Sequence, residues 1–205
     1  MTSYRKITSN IAGKLNLQET YLLYCLALCS DCNTMESYIK QDNLTDFYGI
    51  KKTDQIREWL HKFDSLGLVS IDKFDVYGQY GKFNRCSYRL DTKHYVLITN
   101  KLYNEPISKE LKGFLVLLKC KCLNGTNTTL YSQNKLAEEL GLSKGTISRY
   151  MNEAIENGYV KRDKKGIHLL REDIFLITSE SQLAIIKNLY PEIITDEDLE
   201  RGYIA

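Results

Sequence analysis

The sequence predicts an α+β fold, mainly α, built as two tandem copies of one small module followed by a C-terminal helical tail. Three observations carry that prediction: a pattern of roughly 90 residues that occurs twice, apolar residues recurring at helical spacing in each copy, and a pair of short strands closing each copy. The first module is expected over residues 1–92, the second over 93–177 and the tail over 178–205.

The copies align on their own residues. One opens "YRKITSN" at Tyr4 and the other "YVLITNK" at Tyr95, 91 residues on. Helical periodicity follows in both: Leu17, Tyr21, Tyr24, Cys25 and Leu28 against Ile107, Leu111, Phe114, Leu115 and Leu118, a spacing of 90. The segments "LTDFYGIKKTDQIREWLHKFDSLGLVSI" and "LAEELGLSKGTISRYMNEAIENGYVKR" then superpose with one extra residue in the turn of the first. Leu44 falls on Leu136, Gly49 on Gly141, Ile56 on Ile147, Gly67 on Gly158 and Val69 on Val160. Modules of this size lie near the lower end of what folds around one core.

In the second module, Leu136 to Leu140 form a short helix that Gly141 ends, because glycine accepts the left-handed conformation of a tight helix exit. Ser143 is placed to cap the next helix by accepting a backbone N–H one turn on. Along that helix Ile147, Met151, Ala154 and Ile155 should face inward, and Lys144, Ser148, Arg149 and Asn152 outward. "YVKRD" and "GIHLL" then flank Lys164 and Lys165, a hairpin whose turn suits Gly166. The first module has the same parts. Ile56, Trp59, Leu60 and Phe63 form the buried stripe of its third helix, and "GLVSIDKF" and "FNRCSYRL" its hairpin, with a longer tip, "DVYGQYGK".

Cys25, Cys29 and Cys32 have the spacing CxxxCxxC, which resembles the cluster-binding triplet of radical S-adenosylmethionine enzymes. Here they fall on the first helix of the first module, where Cys25 and Cys29 share a face with Tyr21 and Leu28 and act as small hydrophobes. Asp31 stands where those enzymes usually place an aromatic residue, and the strand–helix repeats of their barrel are missing. Cys120 and Cys122 lie in the matching region of the second module, and His61, His94 and His168 have no ligand spacing with them. No metal and no cofactor is expected.

A net charge of +2 favours neither nucleic acid nor membrane by itself. The distribution is more informative: six acids against two bases in residues 178–205 leave 26 bases against 20 acids in the rest. No apolar run approaches the ~18 residues that span a bilayer, and "MTSYRKITSN" lacks the apolar stretch of a signal peptide. A cytoplasmic protein with reduced thiols and no membrane partner is expected.

Helix, sharp turn, helix and β-hairpin, in that order, resembles the winged helix-turn-helix superfamily, here as a tandem pair. "LSKGTISRYM" resembles the start of the recognition helix in many bacterial regulators and in phage and plasmid replication proteins. The resemblance implies double-stranded DNA as partner, read by Lys144, Thr146, Ser148, Arg149 and Asn152 in the major groove, with Arg149 suited to bidentate contact with guanine. Lys161, Arg162, Lys164 and Lys165 on the wing would lie against phosphates.

The equivalent surface of the first module, "KKTDQIREWLHK", departs from this pattern. It mixes Lys51, Lys52, Arg57 and Lys62 with Asp54 and Glu58, and Glu58 takes the place of Arg149. Lys52, Gln55, Arg57 and, at the hairpin tip, Lys82 remain candidates for DNA contact, with pairing of chains as the alternative role of this module.

The resemblance leaves three functions open: a transcriptional regulator, a plasmid or phage replication initiator, and a protein–protein scaffold of the chromosome-segregation type. The initiator reading draws on the pattern of strand, ITN, helix, turn, helix and GY-V-K-R in phage replication proteins; the basic second wing speaks against the scaffold. No Gly-rich phosphate loop, paired histidines or serine elbow marks an enzyme. The tail places Leu183, Ile186, Leu189 and Tyr190 at helical spacing, a stripe for its own domain or for a homodimer.

Overall fold

A computed structural model describes residues 4–79, 81–123 and 126–177. The tail, with its apolar stripe and acidic end, lies outside the described residues, as does Tyr80 of the first hairpin tip.

One order of elements occurs twice. Strand β1 (Tyr4–Thr8), a single 3-10 turn (Ser9–Ile11), helix α1 (Leu17–Leu28), the two-residue strand β2 (Glu36–Ser37), helices α2 (Gln41–Tyr48) and α3 (Thr53–Ser65) and the hairpin β3 (Val69–Gly78) and β4 (Gly81–Leu90) make the first series. Strand β5 (Tyr95–Thr99), the short helix α4 (Lys101–Asn104), helix α5 (Lys109–Cys120), strand β6 (Thr128–Thr129), helices α6 (Gln133–Leu140) and α7 (Lys144–Glu156) and the hairpin β7 (Val160–Asp163) and β8 (Gly166–Leu169) make the second. Each hairpin joins its two-residue strand in a three-stranded antiparallel sheet, ordered β2-β4-β3 and β6-β8-β7.

Local chemistry sets the helix ends. Asn16 caps α1 by accepting from Glu19 N, and the Glu19 carboxylate accepts from Asn16 N in return, a reciprocal capping box. Ser108, Ser132 and Ser143 cap α5, α6 and α7 through their side chains. The caps of α1 and α5 are 92 residues apart, which replaces the spacing of 90 read from the apolar stripes. The stripe misleads because both helices are buried on nearly every side: Leu22, Leu23 and Leu26 in α1, and Val116 and Leu117 in α5, are as inaccessible as the residues of the expected stripe. In α1, which has no polar face, there is no phase to read.

That burial has one cause. Helix α1 packs on α5, and β1 pairs with β5 in the register Tyr4↔Thr99, Lys6↔Leu97 and Thr8↔Tyr95. The Tyr24 hydroxyl crosses from α1 to donate to Thr99 O at 2.7 Å. Instead of one core per module, the buried residues of both form one continuous cluster, from Ile7 and Leu22 through Phe63 to Phe114, Met151 and Phe175. Residues 174–176 close it beside β5: Thr99 N donates to Ile174 O and Leu176 N to Leu97 O.

Two expectations are corrected. Ile155 is 39% exposed, while Tyr150 takes the inward position, stacking on Phe114 with ring centroids 6.0 Å apart. Helix α1 ends at Leu28, so Cys29 is its C-cap and Cys32 stands exposed in the turn beyond; only Cys25 is a buried helical residue. Burial pushes the Cys25 thiol up to about 12 and Cys29 to about 11, which keeps both protonated and poor ligands. No group of three or more His, Cys, Asp or Glu is placed to hold a metal ion among the described residues. On the mixed surface of the first module, Lys62 is ion-paired: its ammonium donates to both oxygens of the Glu19 carboxylate, at 2.8 and 2.7 Å, tying α3 to the cap of α1.

Candidate nucleic-acid interface

Helix α6, the turn after it and α7 are positioned by backbone chemistry. Gly141 adopts φ 63, and its N–H closes the last turn of α6 on Ala137 and Glu138. Two residues later Ser143 begins α7, its hydroxyl accepting from Thr146 N at 3.0 Å and lying 2.8 Å from the Thr146 hydroxyl. Leu136, Leu140, Ile147, Met151 and Ala154 hold the two helices together. The opposite face of α7 is open: Lys144, Ser148, Arg149 and Asn152 are all exposed. Thr146 is half-buried and engaged by Ser143, so its hydroxyl serves the start of the helix before any ligand.

Arg149 lies over its neighbour, its guanidinium carbon 5.1 Å from the centroid of the Tyr150 ring. That contact orients the side chain without neutralising it. Beside it runs a cleft of about 570 Å³, lined by Gly145, Thr146 and Arg149 together with Asn16 and Gln18 at the start of α1 and Glu110 of α5. Sequence patterning does not single out these last three residues. Aligning the modules on the caps Asn16 and Ser108, rather than on the apolar stripe, makes Gln18 and Glu110 counterparts and is the signal that points to them.

The hairpin β7–β8 turns through Lys164 and Lys165, with Asp163 paired to Gly166. Lys161, Arg162, Lys164 and Lys165 are exposed, and of these only Lys161 is ion-paired among the described residues, to Asp163 at 3.4 Å. The Asp163 carboxylate also lies 3.0 Å from His168 Nε2 and accepts from Lys165 N at 2.8 Å. The His168 contact, with the Lys165 N–H second, holds that carboxyl well below the usual carboxylate range. Asp163 thereby shapes the turn that presents Lys164 and Lys165. A second cleft, of about 290 Å³, runs between this turn and the start of α6 at Ser132 and Gln133, with Arg162, Lys164 and Lys165 on its rim. Cations beside a helix N-terminus suit a phosphate group.

The first module presents fewer open charges. Lys52 precedes α3 and is exposed, Gln55 is half-buried, and Arg57 is exposed but bonded to Asp54 at 2.9 Å and to Gln41 at 3.4 Å. Lys82 is paired with Asp75 at 2.7 Å near the tip of the hairpin. That hairpin has ten residues in each strand against four in β7 and β8. Exposed aromatic residues lie along it: Tyr77, and Phe74 in edge contact with Tyr38 at 6.0 Å.

No helix of the described residues is long and apolar enough to cross a membrane. No curated protein and no solved structure matches this chain significantly. Residues 131–161, which span α6, the turn, α7 and the first residues of β7, match the family described as winged helix-turn-helix DNA-binding, so the segment that carries Lys144, Arg149 and Lys161 is similar to that family.

Proposed function

We propose that the chain is a sequence-specific double-stranded DNA-binding protein that acts as a transcriptional regulator through two winged helix-turn-helix modules, without a catalytic step of its own. One observation carries the reading. The segment matching the DNA-binding family turns a single exposed face of α7, with Lys144, Ser148, Arg149 and Asn152, to solvent beside a hairpin whose Arg162, Lys164 and Lys165 are open cations. A helix of this kind fits the major groove, with the residues of its first turns at base edges. The hairpin cations then meet phosphates, fixing the register without reading sequence.

Selection of bound duplexes from a random pool tests this reading. Enrichment of one consensus, bound with a steep loss of affinity on adding salt, supports it. Failure of any sequence to enrich contradicts it. Footprinting on the source DNA then separates roles: a protected site overlapping a promoter assigns regulation, whereas sites repeated in one direction at an origin assign replication initiation.

A further inference from the structure

Two contacts join residues to their own counterparts in the other module. In the β1–β5 pair, Lys6 lies opposite Leu97, the residue 91 positions on, and around it Tyr4 meets Thr99 while Thr8 meets Tyr95. Tyr4 thus faces the counterpart of Thr8, and Thr8 the counterpart of Tyr4. At the helix starts, Gln18 Nε2 donates to Glu110 Oε1 at 2.6 Å. Both are the second residue after a capping side chain, 92 positions apart. A residue that touches its own counterpart lies on a two-fold axis, and two such pairs fix the line of that axis.

Each of the two helix-turn-helix turns is also braced by the other module. Gly13 of the first module packs against the end of α6: a Cβ on Gly141 would lie 3.3 Å from Gly13 O, and one on Gly13 3.2 Å from Glu139 O. At the turn of the first module, the Lys109 ammonium of the second module donates to Gly49 O at 2.6 Å. Nearby, Tyr103 donates to Phe47 O at 2.9 Å and stacks on the Phe47 ring at 4.4 Å. Helices α3 and α7 begin directly after these braced turns. Each reading helix is therefore held by the other module. The Gln18–Glu110 pair also lies in the cleft beside Arg149, so the axis emerges on the side that α7 presents.

We propose that the chain reads DNA as a single-chain counterpart of a two-fold helix-turn-helix dimer, with α7 on one half-site and α3 on a second, inverted half-site of different sequence. This rests on the DNA-binding reading above. A two-fold relation between reading helices demands inverted half-sites. Their sequences differ because the exposed residues do: Arg57, Glu58 and His61 stand on α3 where Ser148, Arg149 and Asn152 stand on α7, and half-buried Gln55 stands where Thr146 does. Glu58 opposes phosphate but accepts from a cytosine amino group, and Gln55 suits adenine. The Arg57–Asp54 pair is open to solvent at both partners, so it gives way to a base contact at little cost.

The test takes a duplex selected from a random pool by the full chain and measures the mass of the complex, the footprint and the effect of substitutions. The proposal expects one chain per duplex and two protected segments of unlike sequence. Arg149→Ala should lose roughly tenfold or more in discrimination in one segment only, and Arg57→Ala or Gln55→Ala in the other only. Inserting about five base pairs between the segments, half a helical turn, should abolish their joint protection. Two chains on identical half-sites, or α3 substitutions without effect on any base position, overturn this inference and leave α7 as the reader. Absence of any selected sequence overturns the DNA-binding reading itself.

Discussion

Gly113 on α5 lies against the backbone carbonyl of Leu17 on α1, so close that a Cβ at this position would overlap the carbonyl oxygen and carbon. The absence of a side chain is what lets the two central helices meet, and with them the two modules. The joined core, the pairing of β1 with β5 and the Gln18–Glu110 contact all depend on that approach.

Gly113→Ala should therefore destabilise the protein even though alanine is the better helix former. The gain in propensity is about 1 kcal/mol, whereas overpacking against an immobile backbone costs about 3 kcal/mol or more. Chemical denaturation of the two proteins checks this: the midpoint should fall in the variant. A raised midpoint would mean that α1 and α5 do not meet here.

Acid should weaken the join between the second hairpin and α4. Arg171 donates to Glu105 and Asp173, and its hydrogen bonds, with that of Lys101, hold the Asp173 carboxyl down to about 2. A carboxylate whose folded pKa is lowered stabilises the fold above its unfolded value of about 4 and loses that contribution as pH falls through the folded value. The difference in melting temperature between the wild type and Asp173→Asn should be constant above about pH 5 and close between about pH 4 and about pH 2. Asp173 is 40% exposed at its side chain, so solvent screening keeps the difference small.

The turn of the second hairpin should behave as a phosphate-binding element. Replacing both Lys164 and Lys165 by alanine should weaken binding to all duplexes alike and flatten the plot of log affinity against log salt by about 0.9 for each phosphate that the variant leaves unneutralised. Folding should be unaffected, since both side chains are exposed. An unchanged slope would place the hairpin away from the duplex.

The parts legible in the sequence are those whose signal is local. Gly141 and Ser143 mark the turn and cap between α6 and α7, and Lys164–Lys165 between two strand patterns mark the hairpin, so the exposed face of α7 is readable residue by residue. The central helices are readable as helices but not in phase, since Leu22, Leu23 and Val116 are buried on sides a surface helix leaves open. Periodicity points Ile155 inward because it does not distinguish the edge of an apolar stripe from its centre, and Tyr150, amphipathic, takes the inner place. Nothing local signals that Glu19 pairs with Lys62, which follows from the packing of α3 on the start of α1, or that Gln18 and Glu110 stand beside Arg149, which follows from the meeting of α1 and α5.

If α7 reads sequence while its hairpin holds the backbone, Arg149 and Lys164 must fail in different ways. Binding of the wild type, Arg149→Ala and Lys164→Ala should be titrated against the selected duplex and its single-base variants at fixed salt. Arg149→Ala should erase about 1 to 3 kcal/mol of discrimination at one base position, while Lys164→Ala should lower affinity for every duplex by the same factor. Equal losses across all duplexes from both substitutions would contradict this division of roles.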